Sequence, residues 1–418
     1  MHLLLYKIFI GVYGLGARCL APWNTKAALW VKGRKNLLQH IGNTWSHPKK
    51  DFTIWMHSAS LGEFEQGRPV LEALKKQHPQ CRIVLTFFSP SGYEIRKHYK
   101  GADAVYYLPA DGIKNATAFL DIIQPNLVLW VKYEYWYHYL NTLKQRNIPT
   151  LLISGLFRSS QPFFKWYGRL HRHMLTCFEQ LFVQTAASKE LLQSIGFTSN
   201  VQLNGDTRFD RVTTIAAFFE ALPFIEQFIA NNPVIVAGST WLEDEEELDH
   251  FANTNPAIKF IIAPHEIGEE RMQEVMPLFK NSIRLSAYNG GPTTANTLII
   301  DNIGMLNRLY HYATIAYVGG GFGDDGLHNI LEAAAYYKPV LFGPNYEKHY
   351  EAVEMVEAGG AFTIENALEA EKVLQELLTN QEVYQAAAQA AGNYVTQNRG
   401  ATEAILNYIQ EKRLLTNW

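Results

Sequence analysis

The sequence predicts an α/β fold of two doubly wound, Rossmann-like domains, each a parallel sheet with helices on both faces. From Phe52 onward, short apolar runs alternate with helix-forming stretches, the pattern of repeated strand-helix units. The chain has 418 residues, 47% hydrophobic and 13% aromatic, which exceeds what one core usually holds and supplies apolar side chains for two. Small-residue junctions between strand and helix occur twice in the second half, at Gly238-Ser239-Thr240 and at Gly319-Gly320-Gly321. Doubly wound sheets hold their ligands at such junctions. The expected division is a basic apolar segment over 1–50, a first Rossmann-like domain over 51–212, a second over 213–395 and a closing helix over 396–418.

The amino end differs from the rest. It has no Asp or Glu before Asp51 but carries Lys7, Arg18, Lys26, Lys32, Arg34, Lys35, Lys49 and Lys50. The net charge of −3 thus hides a basic end on a body with 29 basic and 40 acidic residues. Residues 3–21 are strongly apolar but interrupted by Lys7 and Arg18, too few for a clean span and without the flanks of a cleaved leader. At helical spacing Lys7, Gly11, Gly14 and Arg18 share one face and Ile8, Phe9, Val12 and Leu15 another. That suits a helix lying in a lipid interface with its cations near anionic head groups, or an amphipathic helix packed on the protein's own core. The acid-free run favours the membrane. Three widely spaced cysteines, Cys19, Cys81 and Cys177, point to reduced thiols in a cytoplasmic setting and exclude a disulfide scaffold or zinc site.

In the first domain, strands are expected over 53–57, 82–86, 104–107, 127–131 and 150–154, with one over 201–203 closing it. The loop Ser58-Ala59-Ser60-Leu61-Gly62-Glu63 follows the first strand and precedes a helix over 67–76. Glu63, at a strand's carboxyl end, is placed to act as a general base. The residues alone favour a plainer account, a helix-N-terminal acid suited to the dipole, a role Glu65 would fill equally well. Glu134 follows the fourth strand within Lys132-Tyr133-Glu134-Tyr135-Trp136, where charge among aromatics suits a sugar or lipid contact, or packing. Arg158 and Arg208 add cations after later strands, Arg208 within the dense cluster Gly205-Asp206-Thr207-Arg208-Phe209-Asp210-Arg211.

In the second domain, strands are expected over 233–237, 259–263, 297–301, 315–318 and 340–342. Gly238, Ser239 and Thr240 form a phosphate-cradle-like junction. The acidic run 243–247 after it reads as the solvated first turns of a helix. Pro264-His265-Glu266 begins like a zinc-protease helix, but Glu269 stands where a second histidine is required, so His265 is left as a phosphate or sugar contact. Gly321-x-Gly323-x-x-Gly326 formally matches a dinucleotide turn, with Glu347 near the distance of a ribose-binding acid. Its position deep in the second domain counts against that. So do His328, Asn329 and Glu332, which open the expected helix over 327–333 where a dinucleotide helix wants small apolar residues.

The ordered set HSASLGE, Leu108 to Asp111 as LP-x-D, GDTRFDR, GSTWLEDEE, IIAPHE, IIDNIGMLNRLY and VGGGFGDDGLHNILEAAAYYKPVLFGP, spread over nearly the whole chain, resembles the 3-deoxy-D-manno-octulosonic acid (Kdo) transferases of lipid A biosynthesis. The resemblance implies a GT-B fold, two Rossmann-like domains facing a cleft, with a membrane-associated amino-terminal helix. It implies inverting transfer of Kdo from CMP-Kdo to the lipid A precursor at the cytoplasmic side of the bacterial inner membrane, without cofactor, metal ion or nucleic acid. Glu63 becomes the general base. Gly238, Ser239, Thr240, His265, Gly319, Gly320, Gly321, His328, Asn329 and Glu332 surround the CMP of the donor. Three departures stand out: Ala263 precedes Pro264-His265 where the family commonly has an arginine after the proline, Ile330 replaces a proline between Asn329 and Glu332, and Lys132 replaces the first acid of a Glu-x-Glu segment, leaving Glu134. Arg158 or Arg208 is the expected cation for the sugar carboxylate. A GT-B enzyme using another nucleotide sugar, a related sugar epimerase, a non-catalytic membrane-bound binder and a dehydrogenase remain as alternatives.

Overall fold

In the computed structural model, residues 2–45, 52–323 and 326–415 are described; the expected boundary at 50/51 and the turn residues Asp324 and Asp325 lie outside them. The chain divides into two compact units. One holds 1–210 and 400–418, the other 211–399.

The first unit is organised by a seven-stranded parallel sheet: β1 (Thr53–Ser58), β2 (Arg82–Phe87), β3 (Ala104–Tyr107), β4 (Leu127–Val131), β5 (Thr150–Gly155), β6 (Gln180–Val183) and β7 (Val201–Leu203). Their order is β3-β2-β1-β4-β5-β6-β7. All residues of β1 and β4 are buried, as in a sheet covered on both faces. One core packs Trp55, Trp130, Phe119 and Tyr139 on one face. On the other, Met56, Phe64 and Phe182 are joined by Ile405 and Ile409 of the closing helix Ala401–Glu411. That helix is tied to the first unit by Asp210, whose carboxylate accepts from the backbone N–H groups of Gly400 and Thr402.

Chain order and sheet order diverge between β1 and β4. There the two strands pair directly, with connections leaving in opposite directions, and a crevice opens at their carboxyl ends. The helix after β1 packs unusually close to this pair. A Cβ on Gly67 would meet Met56 Sδ at 2.8 Å and Val131 Cγ2 at 2.9 Å, so only glycine fits.

Three helices precede the sheet: α1 (His2–Leu20), α2 (Thr25–Gly33) and α3 (Leu37–Thr44). By length and composition α1 could cross a membrane. None of its residues is fully buried. Leu3, Tyr6, Ile10, Gly14 and Ala17 are partly covered, whereas Leu4, Leu5, Ile8, Phe9, Val12 and Leu15 are 52–63% exposed. Tyr6 anchors the covered side: its hydroxyl donates to Asp111 Oδ2 at 2.7 Å and accepts from the N–H of Tyr137 at 3.2 Å. One expected surface cation turns inward. The Arg34 guanidinium donates to the carbonyls of Leu108, Phe88 and Trp30 and lies 4.1 Å over the Trp30 ring. Burial pulls it down to about 10.

The second unit repeats the plan with β8 (Val234–Thr240), β9 (Lys259–Pro264), β10 (Ser282–Arg284), β11 (Thr297–Ile299), β12 (Ile315–Val318), β13 (Val340–Phe342) and β14 (Ala361–Thr363). Their order, β10-β11-β9-β8-β12-β13-β14, puts the equivalent crevice between β8 and β12. Strands β6, β10 and β14 went unrecognised in the sequence. They have three or four residues each, too few for an alternation to show.

Candidate active site

Glu63 is not in a loop. The helix α4 begins at Leu61 and runs to Gln77, with Ser60 as its cap, so Glu63 sits in the first helical turn. The sequence Ser60-Leu61-Gly62-Glu63 explains this: it has the spacing of a capping box, and Ser60 Oγ accepts from the Glu63 N–H. The Glu63 carboxylate instead reaches one residue further back and accepts from the Ala59 N–H. A solvated acid at a helix start is stabilised as the anion. Glu63 is only 7% exposed, and burial, then the neighbouring Glu134 carboxylate, push it up to about 7 against the Ala59 hydrogen bond.

Glu134 reaches the same place from β4. Lys132 adopts φ +59, a left-handed conformation that a non-glycine residue rarely takes and that turns the chain off the strand end. Glu134 Oε2 then accepts from Trp136 Nε1 at 3.1 Å and lies 3.6 Å from His57 Nε2. Burial raises Glu134 to about 7 as well, opposed by the Trp136 hydrogen bond and by Arg34. His57 is fully buried on β1, with Nδ1 held 2.9 Å from Thr86 Oγ1, and burial lowers it to about 3, so it stays neutral. Two carboxylates and a neutral imidazole therefore share a poorly solvated corner, where a proton is retained to near neutrality.

Tyr133 gathers the expected cations around this corner. Its phenol is raised by burial, lowered by Arg158, raised by Glu63 and lowered by Arg208. Arg158 is exposed, whereas Arg208 Nε donates to the buried Asp206 at 2.8 Å. Sequence reasoning missed His57, although it stands in the quoted HSASLGE stretch; no local signal distinguishes it from a core histidine.

In the second unit, Ser239 also takes a left-handed φ of +55, where the β8–β9 register shifts. Gly319, Gly320 and Gly321 are required by packing. A Cβ on Gly319 would lie 2.3 Å from Ser239 O, and Gly320 (φ +90) would meet Gly326 O at 2.3 Å. Asp244 holds the two strand ends together, accepting from the N–H groups of Trp241 and Gly320, each at 2.9 Å, and from the Tyr317 hydroxyl at 2.7 Å. The acidic run is thus not simply a solvated helix start: Asp244 and Glu245 are buried. Glu245 accepts from Thr240 Oγ1 at 2.7 Å and pairs with Arg271, because the β8 end leaves donors that need partners inside the fold. The Thr240 hydroxyl accordingly faces inward.

His265 and His328 are brought together, their rings stacked at 4.5 Å and 22°, with Trp241 also against His265 at 4.8 Å. The expected helix over 327–333 does not form from Leu327. Only Leu331–Ala334 is helical, and His328 and Asn329 lie in the preceding loop. There His328 N–H donates to Gly319 O at 3.1 Å, while Asn329 caps the Leu331 N–H and donates to Glu332 Oε1, both at 3.2 Å. Burial raises Glu332, against Asn329 and Arg211. Gly238 lies within β8 with Tyr310 so near that a Cβ would meet its hydroxyl at 2.1 Å.

A family model described as 3-deoxy-D-manno-octulosonic-acid transferase (kdotransferase) matches residues 34–211. Proteins named 3-deoxy-D-manno-octulosonic acid transferase are similar over most of the chain. The one from Haemophilus influenzae is 26% identical over 373 residues, 85% of this chain and 86% of that protein. The one from Aquifex aeolicus is 27% identical over 335 residues, 78% and 86%. Among solved structures, a UDP-GlcNAc 2-epimerase from Neisseria meningitidis bound to UDP-GlcNAc superposes with TM-score 0.61 at 18% identity, covering 86% of this chain and 100% of that one. A glycosyltransferase from Rickettsia africae gives 0.55 at 15%, covering 88% and 100%. These last two establish the fold as GT-B-like. The chain is thus similar to the Kdo transferase family over residues 34–211 and to proteins named Kdo transferase over most of its length.

Proposed function

We propose that the chain transfers Kdo from CMP-Kdo to the lipid A precursor lipid IVA, with inversion, at the cytoplasmic side of the bacterial inner membrane. The observation that carries this reading is the Glu63 carboxylate, buried at the carboxyl end of β1 and raised to about 7. A base held near operating pH accepts a proton from an acceptor hydroxyl as that oxygen attacks the anomeric carbon. Kdo carries a carboxylate on that carbon, so the transition state is oxocarbenium-like, and CMP leaves as an already stable anion. Glu134 keeps the corner proton-rich. Arg158, exposed beside Tyr133, is assigned to the sugar carboxylate in preference to Arg208, which Asp206 already engages.

For the donor, Gly238, Ser239, the glycine turn 319–321, His265 and His328 are assigned to the phosphate and Asn329 and Glu332 to the ribose. Thr240 contributes at most its backbone, since its hydroxyl is committed to Glu245. The basic flank of α1, with its exposed apolar face, fits a helix resting in an anionic lipid surface. The test is product mass spectrometry with CMP-Kdo and lipid IVA, alongside thermal shift with CMP-Kdo and UDP-sugars. Kdo addition and a CMP-Kdo-specific shift support the reading. A shift with a UDP-sugar alone would favour another nucleotide-sugar enzyme, which the Ala263 departure leaves open.

A further inference from the structure

We infer that Arg34, one of the cations of the amino-terminal segment, is a positioning residue of the active corner: it fixes the loop that supports the hydrogen-bond partners of Glu63 and Glu134, and it sets a positive charge on Glu134. This rests on the reading of Glu63 as the base and deepens it.

Arg34 caps the carboxyl end of α2. Gly33 before it lets that helix end sit on β3, since a Cβ there would meet Tyr107 Cε2 at 2.2 Å. The guanidinium then reaches three segments at once. Nε donates to Leu108 O after β3 at 3.0 Å, Nη2 to Phe88 O after β2 at 2.8 Å and Nη1 to Trp30 O of α2 at 3.3 Å. A planar fork of donors can serve three carbonyls in fixed directions, which a lysine ammonium cannot. Lys32 and Lys35, on either side in the chain, stay exposed.

The loop that Arg34 holds is the support of the corner. Ser89 N–H donates to Ala59 O at 2.7 Å, and the Ala59 N–H is the group from which the Glu63 carboxylate accepts. The Phe88 ring lies 4.7 Å from that of Trp136, tilted by 34°, and Trp136 Nε1 donates to Glu134. Each carboxylate is therefore held by a donor that leans on residues 88 and 89.

The charge has a direction too. Among the described residues no carboxylate forms an ion pair with Arg34, whose hydrogen bonds go to carbonyl oxygens. Tyr13 of α1, Tyr107 of β3 and Tyr139 of the helix Tyr137–Gln145 face it, and burial raises all three phenols, which keeps them neutral. Glu134 is then the anion that answers it: Arg34 lowers Glu134 against burial and opposes a charge on His57. A fixed cation lets the Glu63–Glu134 pair release its proton at lower pH than the desolvated corner alone would.

The experiment measures kcat/KM against pH for Kdo transfer from CMP-Kdo to lipid IVA by the full-length wild type, Arg34→Met and Arg34→Lys in mixed micelles. Calorimetric titration with CMP-Kdo checks that each variant is folded. Arg34→Met keeps the apolar stem and removes the charge, so its acid limb should move up by about half to one pH unit and its kcat should fall roughly tenfold or more. Arg34→Lys should keep the limb in place at a reduced rate. In a Glu134→Gln background, Arg34→Met should no longer move the limb, because Arg34 acts on Glu63 through Glu134. Loss of all turnover in Arg34→Met, with Arg34→Lys active at the wild-type limb, would also support the charge. An unmoved limb in Arg34→Met, an equal shift in Arg34→Lys, or inactivity of both variants would overturn the inference while leaving Kdo transfer standing. Absence of Kdo transfer by the wild type would overturn the reading on which it rests.

Discussion

Glu134 Oε2 lies 3.6 Å from Nε2 of the fully buried, neutral His57, and it is Glu134 that helps hold Glu63 at about 7. Residues from the ends of two neighbouring strands thus bear on the protonation of Glu63. An imidazole that carried full charge would stabilise both carboxylates as anions and pull them down. Kept neutral by burial, it leaves them competing for few charges.

Replacing the proposed base tests the chemistry directly. Glu63→Gln should lower the rate of Kdo transfer by about 10²–10⁴ while the affinity for CMP-Kdo, read by calorimetric titration, stays within about twofold. Near-normal turnover would remove Glu63 from the mechanism.

The pH dependence follows from the raised carboxylates. The base works only when deprotonated, so kcat/KM should rise through an acid limb near pH 7. Glu134→Gln removes the like charge and should move that limb to lower pH. It should also change stability. A carboxyl group raised in the folded state stabilises the fold below its unfolded value and loses that contribution as pH rises through about 7. Wild type should therefore weaken above neutrality, and Glu134→Gln should recover about 1–2 kcal/mol there, seen as a Tm gain that vanishes in mild acid. A limb that stays in place would detach Glu134 from the site.

Two glycines of one helix should behave oppositely. Gly67→Ala drives a methyl group against Met56 Sδ and Val131, and should cost about 1–3 kcal/mol in denaturant unfolding. Gly62→Ala meets nothing within 4 Å and should be neutral or stabilising. Equal effects would mean that α4 does not pack on β1 and β4 as described.

Asp244 offers a test confined to the second unit. Asp244→Ala deletes acceptors for Trp241, Gly320 and Tyr317 together. It should weaken CMP-Kdo binding by roughly tenfold or more and destabilise the unit by about 2–4 kcal/mol, since buried donors are left unpaired. The acid limb of any residual activity should not move. Unchanged donor binding would separate the glycine turn from the nucleotide.

Much of the architecture is written locally. The alternation of apolar runs with helix-forming stretches marks most strands of both units. Small residues at Gly238-Ser239 and Gly319 to Gly321 mark where the ends of β8 and β12 pack too closely for side chains, and the spacing Ser60 to Glu63 carries a helix cap. These signals extend over a few residues, so they survive in the bare sequence. What only the tertiary structure decides is which distant residues meet and how much water reaches them. The pairing of β1 with β4 sets Glu134 beside Glu63 and His57. The closeness of β8 to β12 draws Asp244 out of an apparently solvated acidic run to tie Gly320. The wall of aromatics around Arg34 turns a surface cation into a half-buried one. Each reversal has one cause: a side chain's charge and proton affinity depend on desolvation and neighbours, and both are fixed by the order of strands in the sheet, not by their order in the chain.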